Sequence, residues 1–446
     1  MKFEKLPWKR THYSKEVKPE MDKREVIVMG WTREIRDIGK LKFIKLADRE
    51  GFVQITIKES EVSPNIMKII EKIGREYVIA VRGIVRKNEE APGKREIIPK
   101  EIKILNYSEA PLPLEIETKK TPALLDTRLN QRVLDLRKPE NQAIFKIQTK
   151  LVEGMRDFLI KNGYLEVFTP CLIGSASEGG ADLFKISYFE KEAFLRQDPQ
   201  LHRELLIISG FDKIFEIGPN WRAEPSHTTY HLCEHRGCAV ELSFIKDESD
   251  TMKVEEKMIV SALKFIKKEC KEELEILNKK IIIPKIPFPE LKFPKIYEIL
   301  EELGYKIEFG DDLNRKAENL LWNYVKKKYK NDFFFVNRFP FAIKPFYVMR
   351  VDEDPEWARS VDLVYKGMEL SSGGQREHRY ENLMKNIEEK GLKKSKFKWF
   401  TNFFKYGAPP MGGFCLGIER LTMKLLEIPN IREAVLFART PERLLP

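Results

Sequence analysis

The sequence has no run of roughly 20 apolar residues, so no stretch of it reads as a membrane-spanning helix. Its N-terminus, MKFEKLPWKR, lacks the apolar core of a secretory signal, which predicts a cytoplasmic protein. Cysteine is scarce. Cys171, Cys233, Cys238, Cys270 and Cys415 are odd in number and dispersed, which argues against a disulfide framework. Cys233 and Cys238 lie near His231 and His235, but the spacing fits no common zinc module. No internal repeat is found. What the chain does have is length and charge. A 446-residue sequence that is 42% hydrophobic and 33% charged predicts two or three soluble globular domains. The net charge of +11 is compatible with a polyanionic partner.

Residues 1–20 read as a basic arm. From 21 to 107 the pattern alternates through REVIVMGW, KLKFIKLAD, FVQITIKES, YVIAVRGIV and REIIPKEIKIL. With the helix-like SPNIMKIIEKIG after the third run, this predicts a five-stranded Greek-key barrel of the OB type, a frequent binder of single-stranded nucleic acid. Phe43 and Arg36 are candidates for a stacking face and a phosphate contact; barrel core is the other reading of Phe43. The Pro-rich, then charged stretch 108–140 reads as a hinge. Residues 141–162 carry apolar residues at helical spacing up to Gly163. Strands are expected over 205–245 and 357–373. A helix is expected at 414–427 after a glycine-rich turn. Two helical runs, Met252–Asn278 and Arg315–Tyr329, are expected inside a 250–345 insertion. Together, 141–446 reads as an α+β domain whose antiparallel sheet is flanked by helices.

The rest of this domain is organised around FEIGPNWRAEPSHTTYHLCEHRGCAVELSF. Two alternating arms, Ile214–Trp221 and Cys238–Ile245, flank a connection bearing Arg222, Glu224, His227, His231, Glu234, His235 and Arg236. That is an antiparallel hairpin with a long loop rich in donors, which suits a polyanionic ligand. WRAEPSHTTYHLCE resembles the second signature motif of class II aminoacyl-tRNA synthetases. NGYLEVFTP, ending at Pro170, resembles their first motif, and GGFCLGIERL, ending at Arg420 and Leu421, their third. ELSSGGQREHR, from Glu369 to Arg379, and RTHYS at Arg10–Ser14 narrow the resemblance to the archaeal and eukaryotic-like aspartyl-tRNA synthetases.

The resemblance implies ATP-dependent activation of aspartate, Mg²⁺, a tRNA partner read by the barrel, and a homodimer whose interface includes the 141–162 helix and the strand after it; from sequence alone the same helix face reads equally as core. Activation is an in-line attack by a carboxylate, already an anion, on the α-phosphate. Catalysis then rests on positioning and charge stabilisation rather than on a general base. By resemblance, Arg222 and Arg420 are the catalytic arginines. Ala223, Glu224, Tyr230, His231, Leu232, Glu369, Gly417, Ile418 and Glu419 complete the ATP site, with His235 on the adenine. Glu369 and Ser372 are the expected Mg²⁺ ligands. The amino-acid pocket is expected from Glu178, Gln200, Leu201, His202, Arg203, Arg222, Ser372 and Arg376. Glu178 lies on a lid, SEGGADLF, made pliable by Gly179 and Gly180. Arg376 is expected to pair with the substrate's side-chain carboxylate.

The chain also departs from the family. QDPQLHR stands where the family has QSPQLYK, so Asp198 replaces a serine and Arg203 a lysine. Tyr230 replaces an arginine, and Ala239 an acid near the aspartate pocket. Pro92, or Ala91 or Gly93 one step either side, falls where relaxed archaeal relatives carry proline and strict ones lysine. Arg33 aligns with a tryptophan of some strict relatives. These positions imply charging of both tRNA(Asp) and tRNA(Asn). Two other readings fit the same residues: a relative acting on asparagine or in an amidation-type reaction, and a non-catalytic RNA-binding paralogue.

Overall fold

Alternation of β-branched and polar residues becomes a closed barrel in the N-terminal unit, which ends at Leu134. Its strands are β1 (Glu25–Ile38), β2 (Leu41–Asp48), β3 (Gly51–Lys58), β4 (Val78–Lys87) and β5 (Arg95–Asn106), in the order β1-β2-β3-β5-β4. Only β3 and β5 pair in parallel. Helix α1 (Pro64–Ile70) links β3 to β4. Val28, Ile44, Ile55, Val81 and Ile97 point inward and are fully buried, one face of each strand forming the core. The computed structural model describes residues 8–117, 123–175 and 183–446. The described part of the expected arm is packed onto the barrel: Val17 is buried in its core. Ser14 bonds Asp48 through its N–H at 2.7 Å and its hydroxyl at 2.8 Å.

The stretch expected as a hinge is partly helical, with α2 (Leu125–Asn130) and α3 (Arg132–Asp135) preceding α4 (Pro139–Lys161). In the second unit, Asp135–Pro446, β6 (Leu165–Glu166), β7 (Leu172–Ile173), β8 (Lys185–Tyr188) and β9 (Lys191–Leu195) follow. Next come α5 (Gln200–Leu206), β10 (Lys213–Trp221), β11 (Glu234–Ser243), α6 (Glu248–Glu269), α7 (Lys271–Ile276), β12 (Glu290–Lys292), α8 (Lys295–Glu302) and α9 (Arg315–Tyr329). The chain ends with β13 (Phe333–Asn337), β14 (Ser360–Tyr365), β15 (Glu369–Gln375), α10 (Tyr380–Glu389), α11 (Lys398–Thr401), β16 (Met411–Gly417) and α12 (Ile418–Leu425).

Eight strands form one sheet in the order β12-β13-β14-β15-β16-β11-β10-β6. The expected antiparallel sheet is therefore mixed. Its interior is antiparallel, while β6 on β10 and β12 on β13 are parallel edge pairs. One face packs on α4 and α6: Ile147, Leu151 and Met155 of the first and Ile259, Leu263 and Ile266 of the second meet Val240, Leu242, Phe414 and Leu416. The helices cross closely because position 154 is glycine; a Cβ there would lie 3.0 Å from the Ala262 Cα. The glycine run before Phe414 is a central strand, not the expected turn. A Cβ on Gly413 would meet the Val240 carbonyl oxygen at 2.0 Å, so only glycine lets β16 lie so close to β11. Helix α8 was not legible as a separate element among the prolines around it.

Candidate active site

The sheet face opposite α4 and α6 carries a cleft of about 690 Å³. Strand alternation explains its lining. On β14, Val361 and Leu363 point into the core while Ser360 and Asp362 face the cleft. On β16, Phe414 and Leu416 are core while Cys415 and Gly417 line the cleft.

The hairpin of β10 and β11 pairs from Lys213↔Leu242 to Trp221↔Glu234. Its ladder runs one step further, through a 2.9 Å bond from the Arg222 N–H to the Cys233 carbonyl. That rigid base holds Arg222 in the cleft with its side chain 44% exposed and Nη1 3.4 Å from Glu224. In the loop, Ser226 and Thr228 hydroxyls lie 2.9 and 2.7 Å from His231 Nδ1. Burial, then the charge of Arg420, lowers the pKa of His231. Burial and Arg222 push His235 down to about 3, so it is a neutral ring at physiological pH.

Glu369 and Ser372, three residues apart on β15, would face opposite sides of a regular strand. A β-bulge between Leu363 and Val364 of the partner ladder pairs Val364 with Glu369 and Asp362 with Ser372, so both reach the cleft. Asp362 joins them. Burial raises its pKa to about 6 against the nearby Lys344, whose Nζ is 3.0 Å away. From α12, Arg420 donates to the Glu369 carbonyl at 3.1 Å, with Nη1 3.7 Å from Glu369 Oε2.

The end of the cleft near α5 is a buried charge network. Arg376 Nε donates to Glu241 Oε1 at 2.8 Å, and Nη2 reaches Gln200 Oε1 at 3.2 Å. Arg203 Nη2 donates to the same Gln200 oxygen at 2.8 Å, and Arg203 holds Asp198 by two bonds. Glu204 is pushed up to about 8, by burial first and then by Glu241, and is a neutral donor or acceptor at pH 7.

Of the expected site residues, Arg222, Glu224, Tyr230, His231, Leu232, His235, Gly417, Glu419 and Arg420 line the cleft. So do Gln200, Glu369, Ser372 and Arg376. Four do not. Leu201 and Ile418 are buried core residues. The His202 ring lies against Trp399, 5.1 Å between centroids, and Ala223 is outside the lining. Successive side chains point about 100° apart on a helix and to opposite sides of an extended segment, so motif neighbours need not share a target. Arg203 acts from behind Asp198 rather than from the wall. Glu419 is engaged by the Arg236 N–H at 3.0 and 3.2 Å. Glu178, Gly179 and Gly180 lie outside the described residues.

On the barrel, a second cleft of about 370 Å³ is lined by Arg36, Phe43, Phe52, Asn88, Ala91 and Pro92, among others. Phe43 therefore faces outward rather than into the core. Arg33 sits at a β-bulge between Thr32 and Glu34, is buried, pairs with Glu76, and is not among the residues that line this cleft.

Residues 124–441 match the model of the tRNA synthetases class II (D, K and N), and residues 26–105 that of the OB-fold nucleic acid binding domain. The chain belongs to the class II tRNA synthetases. The aspartate–tRNA(Asp) ligase of Pyrococcus furiosus is 45% identical over 437 residues, 98% of this chain and 100% of that one. The aspartate–tRNA(Asp/Asn) ligase of Archaeoglobus fulgidus is also 45% identical, over 97% of this chain and 99% of that one. Among solved structures, the asparaginyl-tRNA synthetase of Pyrococcus horikoshii with asparaginyl-adenylate superposes with a TM-score of 0.90. It is 33% identical, over 98% of this chain and 100% of that one.

In this synthetase, the sequence reading missed Asp312, Lys344, Asp362 and Glu241 as parts of the site. Asp362 and Glu241 sit at alternating positions of buried strands, a signal available in the sequence. Asp312 and Lys344 come from loops with no periodicity to announce them.

Proposed function

We propose that the protein is an aspartate–tRNA ligase that charges both tRNA(Asp) and tRNA(Asn). The observation that carries the catalytic reading is the meeting of Arg222, His231, Glu369, Ser372, Arg376 and Arg420 in one cleft from three separate stretches of chain. Aspartate is favoured by the aspartate ligases at 43–45% identity and by two arginines, Arg222 and Arg376, in the cleft wall. The aspartate α-carboxylate attacks the α-phosphorus of ATP, the bond to the bridging oxygen breaks, and pyrophosphate leaves. Arg222 neutralises charge developing on the α-phosphate, and Arg420 holds the γ end of the tail. A ribose hydroxyl of the tRNA terminus then attacks the adenylate carbonyl and AMP departs.

Among the described residues no group of three His, Cys, Asp or Glu side chains forms an all-protein metal cage. Glu369, Asp362 and the Ser372 hydroxyl are a sparse set of hard oxygens, and Asp362 Oδ1 is buried without a hydrogen-bond donor. That donor set fits Mg²⁺ shared with ATP, and the ion would draw charge from the β- and γ-phosphates. Dimerisation is supported by the exposed apolar side chains of the first motif, Leu165 and Phe168, the latter 83% exposed. A cytoplasmic location follows from tRNA as substrate. Among the described residues no helix is long and apolar enough to cross a membrane.

ATP–pyrophosphate exchange with each amino acid in turn tests the reading. Exchange dependent on aspartate is expected. Exchange with asparagine alone would assign the other branch, and none with any amino acid would favour a non-catalytic paralogue.

A further inference from the structure

The insertion between the second and third motifs reaches the triphosphate side of the cleft through the first turn of α9. Asn314 caps that helix, accepting from the Lys316 and Ala317 N–H groups at 3.1 Å each, and so fixes where Arg315 and Glu318 begin. The Arg315 guanidinium lies 5.1 Å over the Tyr230 ring, and Tyr230 is 4.7 Å from the His231 ring. Arg315 Nη1 is 3.7 Å from Glu318 Oε2. Glu318 Oε1 accepts from the Glu369 N–H at 3.1 Å. Glu369 in turn meets Arg420, as described above. The result is a continuous series of contacts, Arg315–Glu318–Glu369–Arg420, in which two ion pairs are joined through the Glu369 main-chain N–H and run from the insertion to the third motif.

We propose that Arg315 contacts the polyphosphate tail of ATP, and that Glu318 is a positioning residue that holds both Arg315 and the start of β15. The inference rests on reading this cleft as the ATP site. Tyr230, the loop residue beside His231, is uncharged, so the polyphosphate end draws little positive charge from that loop. A guanidinium lying over a tyrosine ring is pre-oriented at low entropic cost and presents its edge donors to phosphate. Side-chain exposure of 31% leaves Arg315 accessible to a ligand. The Glu318 bond to a main-chain N–H on β15 ties the helix to the strand that carries Glu369, so displacing α9 displaces the carboxylate.

The test is equilibrium binding of ATP and of AMP to the full chain with Mg²⁺ and without amino acid. Arg315→Ala is expected to weaken ATP about tenfold and AMP by less than about twofold, because only ATP has the tail. Arg315→Lys should recover part of the loss. Glu318→Ala should raise the Mg²⁺ concentration for half-maximal ATP binding several-fold. Glu318→Gln, which keeps the acceptor for the Glu369 N–H, should not. If Arg315→Ala loses its fold, Arg315→Gln, which keeps much of the stem, is read in its place. An ATP affinity within about twofold of wild type in the Arg315 variant, or equal losses for ATP and AMP, would overturn the proposal while leaving the ATP site standing. A wild-type protein that binds no ATP would overturn both.

Discussion

Asp198 and Arg203 clasp each other at the start of α5 through two parallel hydrogen bonds of 2.9 and 2.6 Å. Asp198 lines the cleft, and Arg203 is fully buried behind it. Burial opposes the charge on both. The guanidinium overrides it at Asp198, holding that carboxyl below its ordinary value, and the carboxylate overrides it at Arg203. The two departures from the family pattern, serine to Asp198 and lysine to Arg203, are therefore one change: the added acid is neutralised by the enlarged base.

Replacing one partner should accordingly cost more than replacing both. Arg203→Ala takes from the partly buried Asp198 the guanidinium that holds both its oxygens and is expected to destabilise by roughly 3 kcal/mol. The Asp198→Ser/Arg203→Lys pair should be milder than the sum of its single changes by at least about 1 kcal/mol in urea unfolding. Additive effects would show that the residues act independently.

Arg222→Ala should lower kcat/KM for pyrophosphate exchange about 100-fold or more, because a preorganised partner for transition-state charge is gone. The half-exposed side chain supports little packing, so the unfolding midpoint should stay near wild type. Unchanged exchange would remove Arg222 from the catalytic set.

Arg376→Leu should cost roughly 2–5 kcal/mol in kcat/KM for the amino acid, through a substrate carboxylate and Glu241 both losing their cation. KM for ATP should move little. An equal loss in both would place Arg376 outside the amino-acid pocket. Glu241→Gln in the same background should return part of any stability lost, because it removes the orphaned charge.

Glu255 should contribute a loss of stability as pH rises from about 5 to 8. Burial pushes Glu255 from 4.5 up to about 8 against the bond it receives from the Ser371 hydroxyl. The folded chain keeps a proton there that the unfolded chain releases near 4.5. This contribution is present in full below 4.5 and is lost as pH climbs through 8. Glu204, also near 8, adds a slope of the same sign. Glu255→Gln should flatten the dependence, so its stability relative to wild type grows from pH 5 to pH 8 in urea titrations. A constant difference would refute ionisation of Glu255 in that window.

Charging of tRNA(Asp) and tRNA(Asn) transcripts side by side should differ by less than about 100-fold in kcat/KM, about 2.7 kcal/mol. Pro92, which lines the barrel cleft with Phe43 and Arg36, offers neither a side-chain donor nor a backbone N–H to the anticodon. Pro92→Lys should shift the preference towards tRNA(Asp). A wild-type preference beyond that bound would refute relaxed charging.

By itself, the order of residues determined the barrel, the β10–β11 hairpin with its charged loop, the long α4 and the run of α9. Each is announced by a period of two or of 3.6 within a dozen residues, and burial of one face is a local demand. Tertiary pairing decided the rest. Glu369 and Ser372 share a face only because Leu370 is an extra residue in β15 opposite Leu363 and Val364, and Arg33 turns inward at another bulge. The glycines of β16 form a strand because β11 and β15 close on them from both sides. Asp312, Lys344, Arg315 and Glu318 enter the site or its margin from a segment whose own pattern speaks only of helix and proline. A side chain's direction follows from the register of strands and helices distant in sequence, and no local periodicity encodes which distant partner a bulge or a loop will meet.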